Sequence, residues 1–326
     1  MDTGTHIVMG VAIGGIATLD PVISESSATA TSVLIATIIG SQIPDIDTVL
    51  KLKNNAVYIR NHRGITHSIP AIILWPMLIV GGIYLFNPEI NLLHLWMWTQ
   101  LAVFLHVFVD IFNAYGTQAL RPFSKKWLAL GIINTFDPFI FILHVIAIVA
   151  WVFGASPGYT FLGMYAVIFA YYIHRVLYKR KLIQIVQELI PDATEIIIAP
   201  TMKNSEWRIA VMNSHQFFVG RAKRLNVQIL DQFNRVPVPE TAVLKAAKQD
   251  SNLSAFLSFS PVYRWELDDY EDHYEVRFID LRYRSNGHYP FVAVVKLDKE
   301  LNILSSYTGW IYSEEKLKKK LEIIPN

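Results

Sequence analysis

The sequence predicts a membrane-embedded all-α half of about six transmembrane helices, followed by a cytosolic α+β domain built mainly on antiparallel strands. Three observations carry this. The chain is apolar for its length, with mean hydropathy +0.32 and 17% charged residues. Its long apolar runs are confined to residues 1–181. Beyond Lys181 the runs become short, β-branched and aromatic, separated by turn signals.

A spanning helix needs about 20 mostly apolar residues. Six runs qualify as candidates: Thr5–Leu19, Thr29–Ile43, Ile69–Phe86, Leu92–Phe112, Ile133–Phe153 and Tyr159–Tyr178. The first two are short and rich in Gly, Ala and Thr, so a re-entrant hairpin competes with two spans there. Their small residues also suit close helix packing. Charge tests the count. Every Lys or Arg in residues 1–181 falls in one of three clusters. These are Lys51, Lys53, Arg60 and Arg63; then Arg121, Lys125 and Lys126; then Arg175, Lys179, Arg180 and Lys181. With six spans the three clusters share one side, and the cation-free turns share the other. The positive-inside rule makes the basic side cytoplasmic. The expectation is a multi-pass protein of the plasma (inner) membrane with both termini in the cytoplasm. The start, MDTGTHIVMG, has no basic n-region and reads as retained.

The boundary falls at 181/182, giving a helical domain of residues 1–181 and a cytosolic domain of 182–326. LIQIVQELI continues the sixth helix. Strands are expected at Glu195–Ala199, Trp207–Met212, Gln216–Gly220, Val227–Gln232, Tyr274–Tyr283, Phe291–Leu297 and Ile303–Trp310. A polar helix is expected near Glu240–Lys248 and a basic one at SEEKLKKKLE. Asn286–Gly287 and Leu297–Leu301 read as hairpin turns, and DDYED, Asp268–Asp272, as a solvated turn.

Composition narrows the chemistry. There is no cysteine, which excludes disulfides, thiolate metal sites and a cysteine nucleophile. Any metal site must use His, Asp and Glu, which favours zinc, manganese or iron. A net charge of +2 gives no global field to recruit nucleic acid.

Polar residues then converge on one membrane face. His6 opens the first span. Asp45 and Asp47, in GSQIPDID, follow the second. His62 and His67, in RNHRGITHS, precede the third. His106 and Asp110, in HVFVD, end the fourth, and Asp137, in NTFDP, begins the fifth. Ionisable residues in spans are costly and mark function. His106 and Asp110 are four apart and share one helix face. Asp45 and Asp47 straddle Ile46 and point the same way in extended chain. This set exceeds what one catalytic zinc needs, so one or two divalent ions are expected. Taken singly, each residue also has a packing, capping or anchoring explanation, and Arg60 and Arg63 serve as orientation anchors in any case. His144 and His174 rank lower, and His94 is expected at the opposite face.

The motifs GSQIPDID, HRGITHS, HVFVDIFNAYGTQALRPFS and NTFDP, in this order, resemble the YdjM-type integral-membrane family and its YfhP-like branch. That family is classed as membrane-bound metal-dependent hydrolases, and the resemblance covers residues 1–180. The set is also similar to the zinc-dependent phospholipase C and nuclease superfamily, which implies His6, Asp45, His67, His106 and Asp110 as ligands. The second H-x-x-x-E/D motif of that superfamily is absent, since Ile148 follows His144 and Tyr178 follows His174.

The expected function is a cytoplasm-facing hydrolase of a phosphoester such as a phospholipid headgroup. Asp45 or Asp47 would act as base or bridging ligand. Arg63, with Arg121, would pair with phosphate oxygens. Membrane lipid is the expected partner, and the cytosolic domain implies a protein partner that the sequence does not identify. The alternatives are a divalent-metal transporter and a membrane-tethered regulator with a structural metal site.

Overall fold

A computed structural model describes residues 1–52 and 55–323. They divide into two compact units. One comprises residues 1–48, 62–180 and 199–204; the other comprises 49–61, 181–198 and 205–326. The second unit therefore includes a segment from between the second and third expected spans.

The first unit is helical. Asp2 caps α1 (Thr3–Ile16) by accepting from Thr5 N. A short α2 (Pro21–Ser24) is capped by Asp20, and α3 (Ser27–Gly40) by Ser26. Glycines let α1 press between neighbours. A Cβ on Gly10 would lie 2.7 Å from Ile38 Cα, and one on Gly14 would lie 2.7 Å from Leu34 Cδ1. On another face, a Cβ on Gly15 would lie 2.4 Å from the Phe161 ring. After α3 comes a 3-10 segment, Ile43–Leu52, and then α4 (Asn55–Asn61), which belongs to the second unit. A 3-10 turn at Ile65–His67 leads into α5 (Ile69–Phe86), capped by Ser68. Then follow α6 (Leu92–Asp110), α7 (Pro138–Val152) and the long α8 (Pro157–Leu189).

Among the described residues three helices, α5, α6 and α8, are long and apolar enough to cross a membrane. A fourth qualifies if α3 and the 3-10 segment, bent by 44°, are one span. The expectation of six therefore differs from the structure at α1 and α7. The fifth run was drawn from Ile133, but Asp137 and Pro138 start the helix. Ile132 and Ile133 instead donate their peptide N–H groups to Phe112 O. Fifteen helical residues rise only about 22 Å, short of a hydrocarbon core of about 30 Å.

The second unit holds two four-stranded sheets, each a meander: β1-β2-β3-β4 and β5-β6-β7-β8. The first runs β1 (Glu195–Pro200), β2 (Glu206–Met212), β3 (Gln216–Lys223) and β4 (Asn226–Asn234). Helices α9 (Ala242–Lys248) and α10 (Ser251–Phe259) precede β5 (Tyr263–Asp269), β6 (His273–Asp280), β7 (Phe291–Asp298) and β8 (Ile303–Trp310). The β2–β3, β3–β4, β5–β6, β6–β7 and β7–β8 pairs are antiparallel. β7 is buried over Phe291–Val295, as a central strand requires. Leu317 and Leu321 of α11 (Glu314–Ile323) pack on Ile279, Val292 and Tyr307. Within the same unit, Asn55 of α4 donates to Thr308 O at 3.3 Å and Arg60 donates to Ser254 Oγ at 3.2 Å.

Sequence patterning missed α10 and β5. No element is expected over SNLSAFLSF, although Asp250 caps the helix and Leu253 and Phe256 are buried at a spacing of three. In β5 no residue is fully buried, so it lacks apolar alternation; it takes in Asp268 and Asp269 of the expected turn. Asn286 and Gly287 adopt positive φ and form the expected two-residue turn between Ser285 and His288, which bridge antiparallel; the turn lies between a 3-10 segment, Leu281–Tyr283, and β7. Lys53 of the first basic cluster lies outside the described residues.

Gly10→Leu forces a side chain against Ile38 and Ser41. It should destabilise the helical unit by about 2 kcal/mol, read as a lower midpoint of thermal unfolding in detergent. An unchanged midpoint would mean that α1 and α3 are not in this close contact.

Candidate metal centre

Four side chains from three separate segments meet at one end of the helical unit. Asp45 comes from the 3-10 segment, His67 from the 3-10 turn before α5, and His106 and Asp110 from the last two turns of α6. One ligand atom of each lies within 4.8 Å of all the others. His67 Nε2 is 3.3 Å from His106 Nε2. It is 3.5 Å from both Asp45 Oδ1 and Asp110 Oδ2. His106 Nε2 is 3.7 Å from the same two oxygens. Ligands about 2.0–2.1 Å from a tetrahedral zinc are about 3.3 Å apart. The donor set thus has close to the edge lengths of such a site before any ion is considered.

Hydrogen bonding around the imidazoles fixes their tautomers. His106 Nδ1 lies 2.6 Å from Ser41 O. A carbonyl only accepts, so the proton is on Nδ1 and the Nε2 lone pair faces the cluster. Thr66 reaches the same result for His67. Its hydroxyl donates to Asp47 Oδ2 at 2.7 Å and therefore accepts from His67 Nδ1 at 3.1 Å. This is the outer hydrogen-bonding pattern of metal-binding histidines. Asp45 Oδ1 and Asp110 Oδ2, the two oxygens facing the imidazoles, are buried with no hydrogen-bond partner. Arg63 Nε stands 3.2 Å from Asp110 Oδ2 as an ion pair. Burial, then the neighbouring His106, pushes His67 well below its ordinary pKa, so it is neutral at pH 7 as a ligand must be.

The remaining expected residues divide. Asp47 joins a second, overlapping group with Asp45 and His62. Its Oδ1 is 2.7 Å from His62 Nδ1, and its Oδ2 accepts from Arg63 N at 2.8 Å as well as from Thr66. Asp47 therefore organises the loop that carries His67. His6 stacks on His106 with ring centroids 3.8 Å apart. Its Nε2 is 3.5 Å from Asp110 Oδ1 and 3.0 Å from the Met1 amine, which also pairs with Asp110. Arg63 donates to Met1 O at 3.0 Å. Asp137 is in neither group: Oδ1 caps α7, and Oδ2 accepts from the Tyr171 hydroxyl at 2.9 Å. His144 bonds Ile140 O of its own helix, and its Nε2 is 3.4 Å from the Tyr165 hydroxyl. His94 pairs with Asp20 at 2.6 Å.

Sequence reading passed over several contributors. Asn113 donates to Asp110 Oδ1 at 3.2 Å. Thr117 Oγ1 and Gln118 N donate to Arg63 O. These bonds hold Arg63 at φ +57, a left-handed conformation that costs about 1 kcal/mol. A chain signal existed in NAYGTQ, polar residues directly after a span, but no spacing rule ties them to Arg63.

The chain matches the family described as YdjM inner membrane protein over residues 1–182. It also matches the YfhP middle domain over residues 191–233 and the YfhP C-terminal alpha/beta plait domain over 242–321. A Bacillus subtilis (strain 168) protein described as "Uncharacterized protein YfhP" is 66% identical over 324 residues, covering 99% of each chain. No solved structure matches significantly.

Thr66→Val removes the hydroxyl between Asp47 and His67 and keeps the volume. It should weaken divalent-metal affinity about 10–100-fold, measured by competition with a chelating dye. Metal needs neutral imidazole, so protons compete with it, and the lowered His67 pKa moves that competition to lower pH than an ordinary imidazole would. Since that pKa lies below the ordinary value of about 6.5, metal should remain at pH 6.5 and leave at lower pH. Metal content after dialysis across a pH series reads this directly; loss already at pH 7 would contradict it.

Proposed function

The chain belongs to the YdjM family of inner membrane proteins, and from that premise we propose that it is a multi-pass, metal-dependent phosphoester hydrolase of the membrane. The near-tetrahedral spacing of Asp45, His67, His106 and Asp110 carries the reading. Zinc fits this donor set first, with manganese or iron next. When bound, the ion supplies Lewis acidity toward a phosphoryl oxygen and acidifies water. Asp45 belongs to both donor groups, so a second ion would share that carboxylate.

In the hydrolysis, water oxygen bonds to phosphorus, the ester P–O bond breaks, and the leaving oxygen takes a proton. Both oxygens of Asp47 are already hydrogen-bonded, which favours it as an orienting group. Held by Asp47, His62 is then the proton acceptor. Arg63 is committed to Asp110 and Met1 O, where it offsets carboxylate charge. Arg121, whose Nε is buried without a partner, is the better cation for a phosphate oxygen. On the positive-inside rule this end of the helices is read as lying at the cytoplasmic headgroup level, with six spans if α1 and α7 cross as short helices. His6 opens α1, and His106 and Asp110 close α6. Ligands at helix ends fit a hydrolase better than a transporter, whose site lies near the midplane.

Purified protein in detergent should release p-nitrophenol from bis(p-nitrophenyl) phosphate and lose this activity with EDTA. Zinc should restore it, and His106→Ala should abolish it. Metal-loaded protein inactive on this ester and on phosphatidic acid would leave the regulator reading.

A further inference from the structure

A cavity of about 350 Å³ lies within the helical unit beside the donor cluster. Met1 belongs to both places: it lines the cavity, and its amine contacts Asp110 and His6. From there the cavity follows one face of α1 through Thr5, Met9, Ile13 and Ile16, a spacing of three to four residues. From Thr5 to Ile16 is 11 helical steps, or about 16 Å. One leaflet of the hydrocarbon core is about 15 Å deep. The cavity therefore extends along α1 by about one leaflet, starting beside the cluster at Met1.

Its walls differ in exposure. The floor is closed, with Met9 3%, Ile13 1% and Ile140 2% exposed. The opposite rim is open, with Leu101 38%, Phe108 42% and Phe169 67% exposed. Leu101 and Phe108 lie on α6 and Phe169 on α8, two of the helices long and apolar enough to span. The rim thus opens sideways to where acyl chains are, and the floor is shielded from them by α1 and α7. An apolar slot of this length has no use for a soluble phosphoester.

We propose that this cavity holds one acyl chain of a membrane lipid, laid along α1 with its polar end toward the donor cluster. A single chain matches a volume at the low end for ligand sites, about 300–1,000 Å³. The substrate class is then a membrane phosphoester with a long apolar tail. That last step rests on the hydrolase reading; the occupancy of the cavity does not.

The test uses full-length protein in detergent micelles with phosphatidic acid that carries a diazirine at the end of one acyl chain. After photolysis, adducts should concentrate on Met9, Ile13 and Ile140. They should exceed those on Leu78 and Ile142, which face outward. Excess hexadecyl phosphate should suppress the floor adducts, and inorganic phosphate should not. Leu101→Trp, which blocks the open rim, should remove them while metal content stays unchanged. His106→Ala should keep them. Floor adducts without phosphoester hydrolysis would uphold the cavity and sink the hydrolase. Hydrolysis of bis(p-nitrophenyl) phosphate without floor adducts, or adducts spread evenly over outward residues, would overturn the cavity proposal.

Discussion

The Asp110 carboxylate is the point on which the helical unit turns. It is fully buried at the end of α6, and a buried carboxylate without compensation costs several kcal/mol. Compensation comes from three directions. Met1 brings its amine, Arg63 its guanidinium at 3.2 Å and Asn113 an amide at 3.2 Å. Each donor belongs to a different part of the chain. Satisfying one charge therefore fixes the start of α1, the loop before α5 and the loop after α6 against the end of α6.

That fixation gives the donor cluster its shape. The loop carrying His67 is held by Asp47 through Arg63 N and Thr66, and Arg63 is held in turn by Thr117 and Gln118. His106 is aimed by Ser41 O, the carbonyl of the C-cap residue of α3. One oxygen of Asp110 takes the Met1 amine and Asn113, and the other faces His67 and His106. A structural charge and a candidate ligand are thus the same side chain. The four donors are spaced for an ion by contacts that do not themselves require one.

Parts of this were legible in the sequence because they are local. His106 and Asp110 share a helix face through simple periodicity, and Asp137 stands at the start of α7 as expected. The short apolar strands after Glu195 declared themselves in the same way, except for β5, which no buried face patterns. The helix count was less legible. Hydropathy extended the fifth run back to Ile133, since it does not register that Ile132 and Ile133 bond to Phe112 O in a loop. Asp137 shows the limit for the site. Its acid–proline context places it at the same face as the cluster, but Tyr171, from a distant helix, takes its second oxygen.

The sequence by itself determined that the first half is apolar helix, that ionisable groups gather at one end of it, and that ligands other than thiolates must serve. Those follow from composition and from the helical repeat, which act within a few residues. Only the tertiary structure decided which of those groups meet. The separation of His67 from Asp45, the tautomers of both imidazoles, and the membership of residues 49–61 in the second unit depend on contacts between segments far apart in the chain. Such contacts join segments that no helical or strand repeat relates, so they leave no periodic trace in the sequence.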